Sequence, residues 1–272
     1  MQHRLPTYFL SHGGGPWPYM KAQLGATYDQ LEAALQDIPR QLGESPKAVL
    51  MVSGHWETAQ FAVMATPKPP MVYDYGGFPE HTYRVQYPAP GAPALAMRVH
   101  GLLDAAGLPS TLDDRQGYDH GAFVPMAVMY PQADVPMLQL SIRRGYDPAA
   151  HLAAGRALAP LRDEGVLIVG SGLTYHDMRN MGPSGKLASA TFDRWLDETL
   201  VHADPRERSE HLLHWTQAPA ARAAHPREDH LLPLMVAVGA AEDDAGTRIY
   251  HEEDVFGGID VSSFRFGAAA IA

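Results

Sequence analysis

Ala48-Val-Leu-Met-Val-Ser-Gly-His-Trp56 is an apolar run that stops at Ser53-Gly54 and then delivers a histidine. Apolar runs bounded by turn residues read as short buried strands. The pattern recurs at Thr7-Tyr-Phe-Leu, Val135-Pro-Met-Leu-Gln-Leu and Gly165-Val-Leu-Ile-Val-Gly. Two of these also lead to histidines: His12 follows Tyr8-Phe-Leu-Ser, and His176 follows Leu167-Ile-Val-Gly-Ser-Gly.

Between the strands lie helical patterns, with apolar positions near i, i+3 and i+4. The clearest run roughly over Tyr28 to Ile38, Pro93 to Ala106, Pro148 to Glu164, Ser189 to His202 and Arg206 to Trp215. Asp147-Pro148 supplies a cap and a first-turn proline. Strands alternating with helices predict an α/β fold, a central, mostly buried sheet covered by helices on both faces. Ligands in such folds gather at the carboxyl ends of the strands, where His12, His55 and His176 are expected.

The 272 residues, 46% hydrophobic and 19% charged, suffice for a sizeable core. With no internal repeat, low-complexity tract or composition break, residues 1–272 read as one domain. A formal charge of -10 without a long basic run disfavours nucleic acid and favours a small-molecule partner. Cysteine is absent, which excludes thiolate metal sites, iron–sulfur clusters and a cysteine nucleophile. Any metal is therefore held by nitrogen and oxygen. No run reaches the length of a membrane span, and Met1-Gln-His-Arg-Leu-Pro lacks the apolar region of a secretory signal. A soluble, cytoplasmic protein is expected, without a membrane partner.

Five histidines sit in turn-like settings: Ser11-His12-Gly, Gly54-His55-Trp, Asp119-His120-Gly, Tyr175-His176-Asp and Asp229-His230-Leu. Neutral imidazole is the commonest metal ligand and titrates nearest physiological pH, so one residue type can supply both a metal cage and acid/base groups. No second histidine follows His55 at the HExxH spacing, Gly13-Gly-Gly-Pro lacks the Lys-Ser/Thr of a P-loop, and Ser53, Ser141 and Ser171 lie in no G-x-S-x-G elbow. Asp119 reads equally as a helix cap before an apolar helix-like stretch. His230 stands at the start of a helix running through Met235-Val-Ala-Val-Gly, with His225, Glu228 and Asp229 as rival ligands. The remaining histidines, His151 among them, are expected mostly on exposed helix faces or loops. The loop from Pro67 to Pro93 is long, aromatic and of the kind that often carries function, whereas Met181 to Lys186 reads as a surface loop.

Phe9-Leu-Ser-His-Gly, Val52-Ser-Gly-His-Trp, Asp74-Tyr-Gly-Gly-Phe-Pro, Tyr87-Pro-Ala-Pro-Gly, Gly117-Tyr-Asp-His-Gly, Gln139-Leu-Ser-Ile, Gly170-Ser-Gly and Asp229-His-Leu-Leu-Pro-Leu occur in order along almost the whole chain. With them the sequence resembles the class III extradiol ring-cleavage dioxygenases, the LigB superfamily, and in particular its 4,5-DOPA extradiol dioxygenase branch. The resemblance implies a LigB-like fold and one mononuclear site in which His12, His55 and His230 ligate the metal. It implies His176 as acid/base residue and His120 as a histidine that orients or stabilises substrate or dioxygen. Alignment on His-Leu-Leu-Pro-Leu favours His230 over His225. The resemblance implies iron(II) for activity, although three histidines suit zinc(II) as readily as a bound metal.

The implied reaction joins a DOPA-like catechol to O2, opens the ring beside the hydroxyls and yields a muconic semialdehyde-type product. Tyr73, Tyr75, Phe78 and Tyr118 are read as lining an aromatic pocket, against ordinary loop packing. Two rival readings are a zinc hydrolase, which needs no dioxygen, and a non-catalytic Memo-like metal-binding module, against which the full set of five histidines counts.

Overall fold

The computed structural model describes residues 4–269. The first half of the Met1-Gln-His-Arg-Leu-Pro segment lies outside the described residues. Eight strands form one mixed sheet: β1 Thr7–Ser11, β2 Ala48–Thr58, β3 Phe61–Met64, β4 Ser110–Asp113, β5 Met137–Arg143, β6 Val166–Gly172, β7 Gly246–Val255 and β8 Ile259–Phe266. Their order is β4-β3-β5-β2-β6-β1-β8-β7. The four central strands, β5-β2-β6-β1, are parallel to one another. They are also the four that the apolar runs predict, because strands covered on both faces carry continuous rather than alternating apolar sequence.

Nine helices surround the sheet among the described residues: α1 Lys21–Leu24, α2 Asp29–Leu42, α3 Pro93–Ala105, α4 His120–Met129, α5 Pro148–Leu158, α6 Lys186–Asp197, α7 Pro205–Leu213, α8 Ala221–Ala224 and α9 Leu232–Ala241. Neighbouring residues of a strand face opposite sides of a sheet. At Gly170 a side chain would run into Pro233 at the start of α9, while the next residue, Ser171, gives its hydroxyl to Gly121 O of α4. Helices therefore cover both faces, as the alternation of elements predicts.

Two helix ends fall short of expectation. The segment from Pro148 turns into a 3-10 helix at Ala159, because Pro160 restricts the residue before it and cannot donate to the helix ladder. The segment ending at His202 leaves the α-helix at Asp197 for one π turn over Glu198–His202. Asp147 caps α5 through Ala149 N at 3.0 Å, and Asp119 caps α4 through Ala122 N at 3.1 Å.

His151 departs from its expected exposure. It is wholly buried in α5, where its Nδ1 donates to Asp147 O at 2.8 Å and its Nε2 accepts from Arg143 N at 3.0 Å. Burial holds its pKa down at about 4. The segment Met181 to Lys186 is also more than a surface loop: it holds a 3-10 turn over Pro183–Gly185 and packs against the β7–β8 turn, where a side chain at Gly258 would overlap Gly182. No helix among the described residues is long and apolar enough to cross a membrane.

Candidate metal centre and active site

The sheet register brings three histidine-bearing segments to one level. Ser11 pairs with Gly172, and Ser53 pairs with Ser171, so the ends of β1 and β6 lie level with Ser53 inside β2, which runs on to Thr58. His12 leaves β1 with its backbone N–H bonded to Gly172 O at 3.1 Å. His55 lies in β2 where the register against β5 shifts between Val52 and Glu57, an irregularity of the kind that re-aims a side chain. His230 comes from the turn before α9 and is fastened to the end of β6 by Leu173 N to His230 O at 3.2 Å. At Gly121 of α4 a Cβ would stand 2.4 Å from Ser53 Oγ and 2.8 Å from His55 Cδ2, so only glycine lets this helix approach the site.

The imidazoles meet through their Nε2 atoms. His55 Nε2 lies 3.3 Å from His12 Nε2 and 3.1 Å from His230 Nε2, the latter contact joining residues 175 positions apart. Each ring has an oxygen at its other nitrogen. His12 Nδ1 is 2.8 Å from Gly13 O, His55 Nδ1 is 3.2 Å from Asp74 Oδ2, and His230 Nδ1 is 3.3 Å from Asp229 Oδ2, though off the line of a hydrogen bond. At His12 the carbonyl keeps the proton on Nδ1 and the lone pair on Nε2, and the carboxylates beside the other two rings favour the same tautomer. Burial, reinforced by repulsion among the rings, holds all three pKa values well below the usual histidine value, so the rings are neutral.

Lone pairs aimed at one another across 3.1–3.3 Å repel unless a cation lies between them. Two nitrogens bound at about 2.1 Å to one ion lie roughly 3.0–3.4 Å apart, from cis-octahedral to tetrahedral geometry. The donor set therefore fits a metal. His120 adds a fourth nitrogen: atoms of His12, His55 and His120 all lie within 4.8 Å of one another, as do those of His176, Asp229 and His230.

His120 is the first residue of α4. Its backbone N and its Nδ1 both bond to Asp74 Oδ1, at 3.0 and 2.8 Å. Asp74 thus anchors His55 with one oxygen and His120 with the other. Sequence reading attached no role to Asp74, and its place inside the Asp74-Tyr-Gly-Gly-Phe-Pro segment was the available signal. His176 lies flat against His230, and its Nδ1 is 3.8 Å from Asp229 Oδ1. Burial lowers the His176 pKa, against the upward pull of Asp229.

Of the rival ligands, Asp229 stands beside the site. Glu228 instead pairs with Arg222 at 2.6 Å, and His225 is buried 3.0 Å from Thr174 O with its pKa held down at about 3 by burial. Neither belongs to the cluster of five. Asp119 is a buried cap that also accepts from Ser53 Oγ at 2.7 Å; burial raises its pKa to about 6.

The histidines open into a cavity of about 640 Å3, within the range usual for small-molecule sites. Tyr75 and Phe78 line it. Phe78 reaches across the backbone of Gly15, where a Cβ would stand 2.4 Å from its ring. Tyr73 and Tyr118 do not line the cavity. Tyr118 is fully buried, its hydroxyl donating to Met137 O at 2.9 Å, and the Tyr73 hydroxyl turns to Val85 O at 2.7 Å. Both hold the long loop in place.

Residues 6–267 match the family described as the catalytic LigB subunit of aromatic ring-opening dioxygenase. The chain belongs to the LigB family. It is 38% identical over 264 residues to a 4,5-DOPA dioxygenase extradiol of Beta vulgaris, covering 96% of each chain. It is 33% identical to a protein of Hapsidospora irregularis called dioxygenase tasH, covering 98% of this chain and 86% of that one. A crystal structure of an uncharacterized protein from Escherichia coli K12 superposes with a TM-score of 0.76 at 30% identity, covering 97% of this chain and all of that one. LigB membership makes this chain a metal-dependent ring-cleavage dioxygenase by class, with a small-molecule substrate and O2 as reactants.

Proposed function

We propose that this LigB protein opens the ring of a catechol beside its hydroxyls in the cytoplasm, the whole chain serving as one catalytic domain. One mononuclear ion, held by His12, His55 and His230, is the working centre, with iron(II) as the active metal and zinc(II) as an alternative occupant. The observation that carries this reading is the convergence of three neutral Nε2 atoms at 3.1–3.3 Å, with an oxygen at each opposite nitrogen. His120, whose Nδ1 is taken by Asp74, flanks the site.

The chemistry that ferrous iron supplies here is Lewis acidity and electron transfer between catechol and dioxygen. The protein's own groups do the rest. Asp74, Asp229 and Gly13 O fix the ring orientations and tautomers. His176 turns Nδ1 toward Asp229, which leaves Nε2 to take a hydroxyl proton from the catechol and later return it. His120 turns its free Nε2 toward the cavity, to orient substrate or dioxygen and stabilise developing negative charge. Tyr75 and Phe78 flank the aromatic ring. Both oxygen atoms end in the product, one in the aldehyde and one in the carboxylate, so no further reductant is consumed.

The test is oxygen uptake by protein reconstituted anaerobically with ferrous iron and given catechol and L-DOPA, with zinc-loaded protein as control. Iron-dependent uptake with a yellow semialdehyde product is expected. Turnover of esters or amides without oxygen consumption would replace this reading with a hydrolase.

A further inference from the structure

The cavity has two chemically distinct ends. Five histidines occupy one. Much of the remaining wall is aliphatic, from Leu24 of α1, Leu31 of α2, Met181, Val255 of β7, and Ile259 and Val261 of β8, with glycines, tyrosines and Ser11 between. Among the described residues, no lysine or arginine lines it. Its carboxylate, Asp74, is committed to His55 and His120.

The lining tyrosine hydroxyls are neutral and already engaged, three of them donating and Tyr28 accepting. Tyr28 Oη accepts from Gly14 N at 2.8 Å, Tyr75 Oη donates to Thr82 O at 2.6 Å, Tyr175 Oη donates to Asn180 O at 3.2 Å, and Tyr250 Oη donates to Glu252 at 2.7 Å. An amino-acid side arm brings an ammonium and a carboxylate, and a charge taken from water without a partner is strongly disfavoured. This wall offers neither charge an opposite partner.

The rim points the same way. Met178 and Phe256, large apolar side chains at the opening, are 67% and 44% exposed, and exposed apolar groups around a groove mark binding surfaces. Phe256 is held at φ +54, a left-handed backbone that a bulky residue rarely adopts. This conformation sets its ring edge-on to Tyr28 at 5.9 Å and over Gly14. Strain of this kind collects where a side chain is needed in a particular place. The cavity volume, roughly that of twenty water molecules, also leaves space beyond a catechol ring.

We propose that the substrate is a catechol carrying an extended, uncharged, apolar substituent, an alkyl or aryl arm. The arm lies along Leu31, Met181, Ile259 and Val261, with Phe256 and Met178 closing over its far end. This inference rests on the dioxygenase reading only for the placement of the diol at the histidines.

The experiment measures binding and turnover separately. Metal-loaded protein is titrated calorimetrically without oxygen, so that no ring opens, using catechol, 4-methyl-, 4-propyl- and 4-butylcatechol and L-DOPA; the series is then repeated for oxygen uptake. Each added methylene is expected to tighten binding roughly fourfold, and L-DOPA is expected to bind at least tenfold more weakly than 4-butylcatechol. A flat series, or L-DOPA binding as tightly as 4-butylcatechol, overturns the proposal. Chain-length-dependent binding with no oxygen uptake from any catechol leaves the apolar wall standing and removes the dioxygenase reading. Uptake that favours L-DOPA does the reverse. Two rim variants add a check, since Phe256→Gly relieves the backbone and Met178 is exposed. Phe256→Gly should shrink the gain from methyl to butyl, and Met178→Lys should improve L-DOPA relative to 4-butylcatechol. An unchanged chain-length gain and an unchanged L-DOPA ratio in these variants remove the arm from this wall.

Discussion

His176 stacks on His230 with ring centroids 3.4 Å apart and planes 18° from parallel, so the proposed proton carrier rests on the face of a proposed ligand. The stacking positions His176 at the edge of the nitrogen cluster without turning it into the cluster. Asp229 lies 3.8 Å from the Nδ1 of one ring and 3.3 Å from that of the other, coupling the two orientations.

This arrangement separates proton handling from metal holding. His176→Ala is expected to keep its full metal content and lose turnover by 100-fold or more, about the size of a general acid–base contribution. His12→Ala is expected to lose both. Metal analysis by plasma mass spectrometry beside oxygen uptake checks the pair, and full metal in the His12 variant removes that residue from the ligand set.

Asp74 touches two histidines and is expected to act through them. Asp74→Ala should weaken metal affinity by about 10–100-fold, the usual consequence of losing a carboxylate behind a ligating histidine. Asp74→Asn keeps one acceptor oxygen and should fall between that variant and wild type. Competition against a chromophoric chelator measures both, and equal affinity in all three proteins rules the anchoring role out.

Gly121→Ala tests the close approach of α4. The added methyl meets Ser53 Oγ and the ring of His55, so the variant should lose about 1–3 kcal/mol of stability through overpacking. Metal affinity should fall as well, because the displaced ring is a proposed ligand. Urea midpoints give the first quantity and chelator competition the second. A loss of stability with unaltered affinity would mean that the helix yields rather than His55.

His151 makes stability depend on pH. Its pKa is about 4 folded against the ordinary 6.5 unfolded, so between these values the unfolded chain binds more protons. Its contribution is therefore complete above about pH 6.5 and is lost as pH falls toward 4, by an amount on the order of 3 kcal/mol. Protonation also removes the acceptor for Arg143 N. His151→Gln should be less stable at pH 7 yet show a shallower loss from pH 6.5 to 4.5 than wild type. Parallel urea midpoints across that range would assign the acid sensitivity elsewhere.

The central strands were legible because their residues are apolar on both faces, and the histidines because most follow a strand or precede a helix; His55, expected just past its strand, lies inside β2, which continues to Thr58. The outer strands were not. β7 spans Arg248, His251, Glu252, Glu253 and Asp254 at the sheet edge, where exposed charge hides the alternation. β8 buries Ser262 and Ser263, whose hydroxyls meet His251 and Ser11, so polar letters stand at interior positions. Tyr118 and Tyr75 look alike in sequence, and both give their hydroxyls to a backbone carbonyl, but Tyr118 is wholly buried while Tyr75 keeps a face on the cavity. The role of Asp74 is invisible in sequence because its partners lie on β2 and α4.

The contact between His55 and His230 also bears on when the protein becomes dangerous to its surroundings. Loosely held ferrous iron in air generates oxidants that damage the chain carrying it. A growing polypeptide possesses two of the three proposed ligands, His12 and His55, early, but two imidazoles make a poor grip. The third arrives 175 residues after His55, when most of the sheet has been synthesised. On the proposed ligand set, tight capture of the metal therefore waits until residue 230, when six of the eight strands have been synthesised.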